Sequence, residues 1–212
     1  MLSIKKFTFN PFQENTYIIQ GNNKECLIID PGCCNVAENN MLLEYIAQQE
    51  LTPVMLLNTH CHIDHILGNH LVSKTYQLKL HAHANEKPVL ASGNAVSSMY
   101  GVPYITSPDI EVFLSEEEEI TFSGMNIQVI HAPGHSPGSV CFYFKEEGFL
   151  IGGDVLFMNS IGRTDLPLGH HQTLINSIKS KLFNLPDETV VHSGHGPQTS
   201  IGFEKKTNPY LQ

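Results

Sequence analysis

Apolar and polar positions alternate, or gather into short apolar runs between turn residues, near residues 2–9, 13–20, 25–30, 53–58, 126–131, 139–144, 148–153 and 189–193. Alternation and short runs of this length predict β-strands. A helical period replaces the strand pattern over Asn39–Gln49, with Met41, Leu42, Tyr45 and Ile46 on one face, and over Thr173–Leu182, with Leu174, Ile175, Ile178 and Leu182. Strands and helices therefore alternate in two runs, one on each side of the chain's middle, which predicts an α/β architecture. Between the runs, Ala91–Pro108 is polar and punctuated by Gly and Pro, and it reads as a long connection. The aromatic residues within it supply a second reading, a lid over a site. The charge run Glu116–Glu119 reads as a solvated turn or the start of a strand.

The apolar run Val54-Met55-Leu56-Leu57 ends in Thr59-His60-Cys61-His62-Ile63-Asp64-His65, an H-x-H-x-D-H cluster that places four potential metal ligands in one turn. Three later strand ends each deliver one more. His135 follows Ile127-Gln128-Val129-Ile130 inside Pro133-Gly134-His135-Ser136-Pro137-Gly138. Asp154 closes Leu150-Ile151-Gly152-Gly153, and His195 lies in Val190-Val191-His192-Ser193-Gly194-His195-Gly196-Pro197. Ligands just beyond strand ends are where open α/β sheets hold their sites.

This ordered set resembles the metallo-β-lactamase superfamily over the whole chain. The resemblance implies an αββα sandwich of two facing mixed sheets with helices on the outer faces, formed as a single domain over residues 1–212. It also implies two divalent metal ions, one taken by His60, His62 and His135, the other by Asp64, His65 and His195, with Asp154 bridging. Imidazole and carboxylate donors suit zinc, iron or manganese without choosing among them, and the resemblance puts zinc first, with iron or manganese as alternatives. Asp30, in Asp30-Pro31-Gly32, is placed by the resemblance beneath the histidine loop, as a carboxylate that orients it.

Ser160-Ile161-Gly162-Arg163-Thr164-Asp165, Leu185-Pro186, Gly194–Gly202 and Thr207-Asn208-Pro209-Tyr210 together are similar to the short bacterial glyoxalase II-like hydrolases, which act on thioesters such as S-D-lactoylglutathione. Full-length glyoxalase II enzymes carry a C-terminal helical domain that holds glutathione. Only 17 residues follow His195, so that domain is not expected here. The implied reaction is attack of a metal-bound hydroxide on the thioester carbonyl, Asp64 orienting it and taking its proton. A thiol with a pKa near 8.5, roughly, leaves as the anion without a dedicated acid. Arg163 offers a fork for an anionic substrate group, or for a structural ion pair with Asp165. The alternative enzyme is a mononuclear-iron persulfide dioxygenase, which resembles the same superfamily, shares a Gly-Arg-Thr-Asp segment and can carry Cys at the position of Cys61. A decayed, purely metal-binding module predicts lost ligands, and all seven positions are filled.

Composition removes other classes. A formal charge of −9 argues against nucleic acid as a partner. No segment reaches the roughly 20 apolar residues of a membrane span, and the N-terminal residues read as a strand rather than a secretory signal, which excludes a membrane partner and disfavours a secreted β-lactamase. Five cysteines without C-x-x-C spacing imply no disulfide framework and a reducing cytoplasm. Cys61 alternates away from the ligands on either side of it and is expected to be a bystander. His170 and His171 read as surface residues, with a place at a site mouth as the secondary reading.

Overall fold

A computed structural model describes residues 2–116 and 119–212. It divides into two compact units, Met1–Phe113 and Leu114–Gln212. In the first, β1 (Ser3–Phe9) and β2 (Glu14–Gln20) form an antiparallel hairpin, β2 pairs with β3 (Glu25–Ile29), and α1 (Val36–Gln48) crosses to β4 (Thr52–Leu57), parallel to β3. Next come α2 (Ile63–Ile66), α3 (Asn69–Tyr76), β5 (Leu80–His83), α4 (Lys87–Ala91), α5 (Gly93–Tyr100) and β6 (Ile110–Leu114). The sheet order is β1-β2-β3-β4-β5-β6. Ile18, Ile28, Leu42, Ile46, Leu56 and Leu80 belong to its core.

Helix α1 starts three residues before the apolar period suggests. Asn35 caps it by accepting from the backbone N–H of Glu38 at 3.0 Å, a start signal that the period alone does not carry. Only Leu42 and Ile46 of the expected face are buried, while Met41 is 53% exposed. The Ala91–Pro108 stretch is not all connection, because α5 occupies most of its first half. Its Ser, Asn and Gly residues are weak helix formers, so packing holds it: Val96 lies on the core and Tyr100 meets Phe12 edge to face at 5.3 Å.

In the second unit, β7 (Glu119–Phe122), β8 (Met125–His131), β9 (Val140–Phe144) and β10 (Phe149–Gly153) run antiparallel in turn. A small ribbon of β11 (Leu156–Phe157) and β12 (Ser160–Ile161) precedes α6 (His171–Ser180), which leads to β13 (Val190–Ser193), parallel to β10. β14 (Thr199–Ser200) and α7 (Ile201–Thr207) follow, giving the order β14-β13-β10-β9-β8-β7. Cys141, Leu150, Leu174, Ile178, Leu182 and Val191 lie in this unit's core. Of the charge run at 116–119, Glu117 and Glu118 lie outside the described residues, Glu116 accepts from Lys181 Nζ at 2.8 Å, and Glu119 opens β7. Among the described residues no helix is long and apolar enough to cross a membrane.

All five cysteines are free, and all but Cys34 are buried. Burial pushes the thiols of Cys26, Cys33 and Cys141 up to about 12, and carries that of Cys61 upward as well. Cys34 reaches about 11, first through burial and then through the nearby Glu38 carboxylate. A thiol reagent at pH 8 should therefore label at most Cys34 in the folded protein, roughly two orders of magnitude more slowly than an unperturbed thiol. The rate should climb about tenfold per pH unit towards pH 10, and all five should react in guanidinium. Fast labelling of a second cysteine in the folded chain would contradict this picture.

Candidate metal centre

In the first unit the chain leaves β4 at Leu57 and turns through Asn58–His62 into α2, so the histidine cluster occupies a strand-to-helix bend. One carboxylate shapes that bend. Asp30, fully buried and in the left-handed region at φ 50°, accepts at Oδ1 from Thr59 N (2.7 Å) and Asn58 Nδ2 (3.1 Å). Its Oδ2 accepts from Thr59 Oγ1 (2.6 Å) and from His65 Nδ1 (3.1 Å). A carboxylate only accepts, so His65 is held as the Nδ1–H tautomer and turns a lone pair outward at Nε2. Thr59 Oγ1, having given its proton to Asp30, accepts from His60 Nδ1 at 3.1 Å and fixes that imidazole in the same tautomer. The His60 ring lies 4.8 Å from that of His62 and 4.1 Å from that of His65. Asp30, His60 and His65 offer ligand atoms within 4.8 Å of one another.

Gly32 shows how tightly this bend is packed. A Cβ there would stand 2.1 Å from Glu14 Oε2 and 2.6 Å from the main-chain oxygen of Asp64.

In the second unit, His135, Asp154 and His195 follow β8, β10 and β13. His135 Nδ1 donates to the carbonyl oxygen of Arg163 at 2.7 Å, which leaves its Nε2 as the lone-pair nitrogen. Gly194 N donates to Gly153 O at 2.8 Å, tying the loop that carries His195 to the one that carries Asp154. Gly162 admits no side chain, since its Cβ would fall 1.9 Å from Asp154 O. The Gly162-Arg163 main chain thus packs against one candidate ligand and orients another.

The donors stand at a telling separation. His135 Nε2 and His195 Nε2 lie 3.5 and 3.4 Å from the same oxygen, Asp154 Oδ2, and in the first unit His65 Nε2 lies 3.6 Å from Asp64 Oδ2. These exceed the roughly 2.7–3.2 Å of a good N–H···O bond. Two donors each about 2.1 Å from one ion at a tetrahedral angle stand about 3.4 Å apart. Nitrogen and oxygen donors at that spacing, with the lone pairs of His65 and His135 fixed by their Nδ1 bonds, fit shared metal coordination, and each unit holds such a set.

Arg163 points its Nε and Nη2 at the two oxygens of Asp165, both at 2.7 Å, on an exposed surface. That hydrogen-bonded fork holds the Asp165 carboxyl down at about 2, so the pair stays charged at any ordinary pH. His170 Nδ1 accepts from Thr173 N at 3.2 Å and caps α6, while His171 Nδ1 lies 3.5 Å from Thr164 Oγ1.

Several positions that shape the bend escaped the sequence reading. Asn10 Nδ2 donates to both Gly32 O and Asp64 O at 3.0 Å. Asn58 Nδ2 also donates to His65 O at 3.0 Å. Glu86 Oε2 accepts from Cys61 N at 2.7 Å. Glu14, fully buried, accepts from Thr16 Oγ1 at 2.9 Å and has its Oε1 4.0 Å from His65 Nδ1. Burial, the largest influence, drives its carboxyl well above the usual range. The available signal was the polar triplet Glu14-Asn15-Thr16 opening a strand that is otherwise buried on both faces.

The sequence model of the Metallo-beta-lactamase superfamily matches residues 9–195. A Bacillus subtilis protein named probable metallo-hydrolase YqgX is 37% identical, the match covering 98% of this chain and 96% of that protein. The Haemophilus influenzae hydroxyacylglutathione hydrolase GloC is 36% identical over 99% of this chain and 98% of its own. The crystal structure of BLEG-1 B3 metallo-beta-lactamase superposes with a TM-score of 0.91 at 39% identity, covering 99% of this chain and all of that one. Fold, donor chemistry and sequence agree: the chain belongs to the metallo-β-lactamase superfamily, a family of metal-dependent hydrolases with an α/β fold.

Proposed function

We propose that residues 1–212 act as one metallo-β-lactamase-like domain and hydrolyse a thioester at a centre of two divalent metal ions, zinc first, with iron or manganese as alternatives. The observation that carries the dinuclear part is the ligand-like spacing of Asp64 with His65, and of His135 and His195 with Asp154. A mononuclear-iron dioxygenase would use two histidines and one aspartate, and would leave the rest of this oriented donor set without a purpose. The thioester part is supported by the match over nearly the full length to GloC.

On this reading His60, His62 and His135 hold one ion, Asp64, His65 and His195 the other, and Asp154 is shared. When bound, such ions bring a coordinated water's pKa towards neutrality and polarise a carbonyl. The protein's own groups divide the remaining work. Asp64 accepts a hydrogen bond from the attacking water and receives its proton. Asp30 and the Arg163 carbonyl keep His65 and His135 in the tautomer that presents Nε2. No thiol of the chain competes as a nucleophile, because burial keeps the cysteines protonated. The departing thiolate needs no acid, and the Arg163 guanidinium, exposed beside Asp165, meets an anionic group of the substrate. Five free cysteines fit a reducing, cytoplasmic setting.

Metal analysis of protein purified under low oxygen should give near two ions per chain, and the same sample should release thiol from S-D-lactoylglutathione. One iron with oxygen uptake on glutathione persulfide would replace this reading with the dioxygenase, and nitrocefin turnover without thiol release would replace it with a β-lactamase. Asp154→Ala should lower the metal content and cut kcat by at least about a hundredfold. Wild-type activity in that variant would defeat the dinuclear assignment. Arg163→Ala should raise KM with kcat within about twofold. An unchanged KM with a lower Tm would leave Arg163 only its ion pair with Asp165.

A further inference from the structure

Glu86 belongs to neither the candidate ligand set nor the reaction proposed above, yet it is a fully buried carboxylate aimed at the main chain between two candidate ligands. It closes the short helical turn Ala84–Glu86 after β5 and passes directly into α4, so its backbone is fixed by elements outside the histidine bend. Its Oε2 accepts from the N–H of Cys61 at 2.7 Å, the short distance of a charge-assisted bond. Two residues earlier, Thr59 N donates to Asp30 Oδ1, also at 2.7 Å. The main chain on either side of His60 is therefore gripped by two carboxylates from different elements.

From this arrangement we infer that Glu86 is a positioning residue of the metal centre: by fixing the Cys61 peptide it sets the spacing and mutual angle of the His60 and His62 rings. The rings stand at 88°, 4.8 Å apart, with the intervening Cys61 side chain buried. Displacement of that peptide would shift the main chain that carries His60 on one side and leads to His62 on the other. The inference rests on the proposal that His60 and His62 are ligands.

The test uses the full-length protein, stripped of metal and titrated with zinc against a chromophoric chelator, with cobalt(II) absorption and the Tm of the metal-free form measured in parallel. Glu86→Met removes the acceptor with little change of volume and should weaken zinc binding by ten- to a hundredfold and alter the cobalt band. Glu86→Gln retains an acceptor oxygen and should return affinity to within about threefold of wild type, with the wild-type cobalt spectrum. A metal-free Tm that falls in Glu86→Met while zinc affinity stays at the wild-type value would overturn the inference and leave Glu86 a stability role. If Glu86→Met does not fold, Glu86→Asp decides, since it keeps the charge and shortens the reach: wild-type affinity there overturns the inference, and a loss supports it. A wild-type protein that binds no zinc would instead bring down the metal reading itself.

Discussion

The carboxylate of Asp30 is the contact on which the first half of the candidate centre depends. It is fully buried, and an unpaired buried charge would be expensive, so its four contacts are a condition of the fold. Those contacts also serve the site. Two hold the backbone and side chain of Thr59, one holds Asn58, and the last fixes the tautomer of His65. Through Thr59 Oγ1 the same carboxylate reaches His60. The left-handed backbone of Asp30 is the strain that this arrangement tolerates, and a short polar side chain adopts it more readily than a branched one would.

The second unit solves the same problem without a charge. His135 is oriented by a main-chain carbonyl, that of Arg163, and close packing at Gly162 is what lets this segment lie against Asp154. This gives a physical reason for a glycine before Arg163 that is independent of what the arginine side chain does. It also separates two things that a motif merges: the Gly162-Arg163 backbone packs against and orients candidate ligands, while the guanidinium faces outward to Asp165.

The eight strands expected from alternation or short apolar runs all formed, because each either keeps a periodic buried face, as β1 and β8 do, or is apolar and buried along most of its length, as β3, β9 and β10 are. Helices α1 and α6 were legible from their period, whereas β5, β6 and α5 were not. β5 and β6 are short strands of mixed polarity, and α5 is held by Tyr100 and Val96 rather than by helix propensity. At the site, the clustered histidines and the strand-ending Asp154 stood out in the sequence as candidates because metal chemistry favours those residue types. Glu86 and Asn10 did not, since each acts on main-chain atoms of residues distant in sequence, 25 positions away for Glu86 and 54 for Asn10. A contact to backbone leaves no trace in the identity of its partner.

The same reasoning explains why a cysteine inside the ligand cluster leaves the donor set free of sulfur. Thiolates bind zinc strongly and would bias the site towards softer ions. Cys61 is flanked by His60 and His62, but its side chain belongs to the first unit's core, and burial, followed by the nearby Glu86 and Asp30 carboxylates, keeps it protonated. A protonated, core-facing thiol is a poor ligand and a poor nucleophile. The proposed donors are then five imidazoles and two carboxylates, a borderline set that zinc, iron and manganese can all satisfy. On that proposal, ligand softness does not select among those ions, which leaves selection to ligand geometry and to the buried groups that orient the rings.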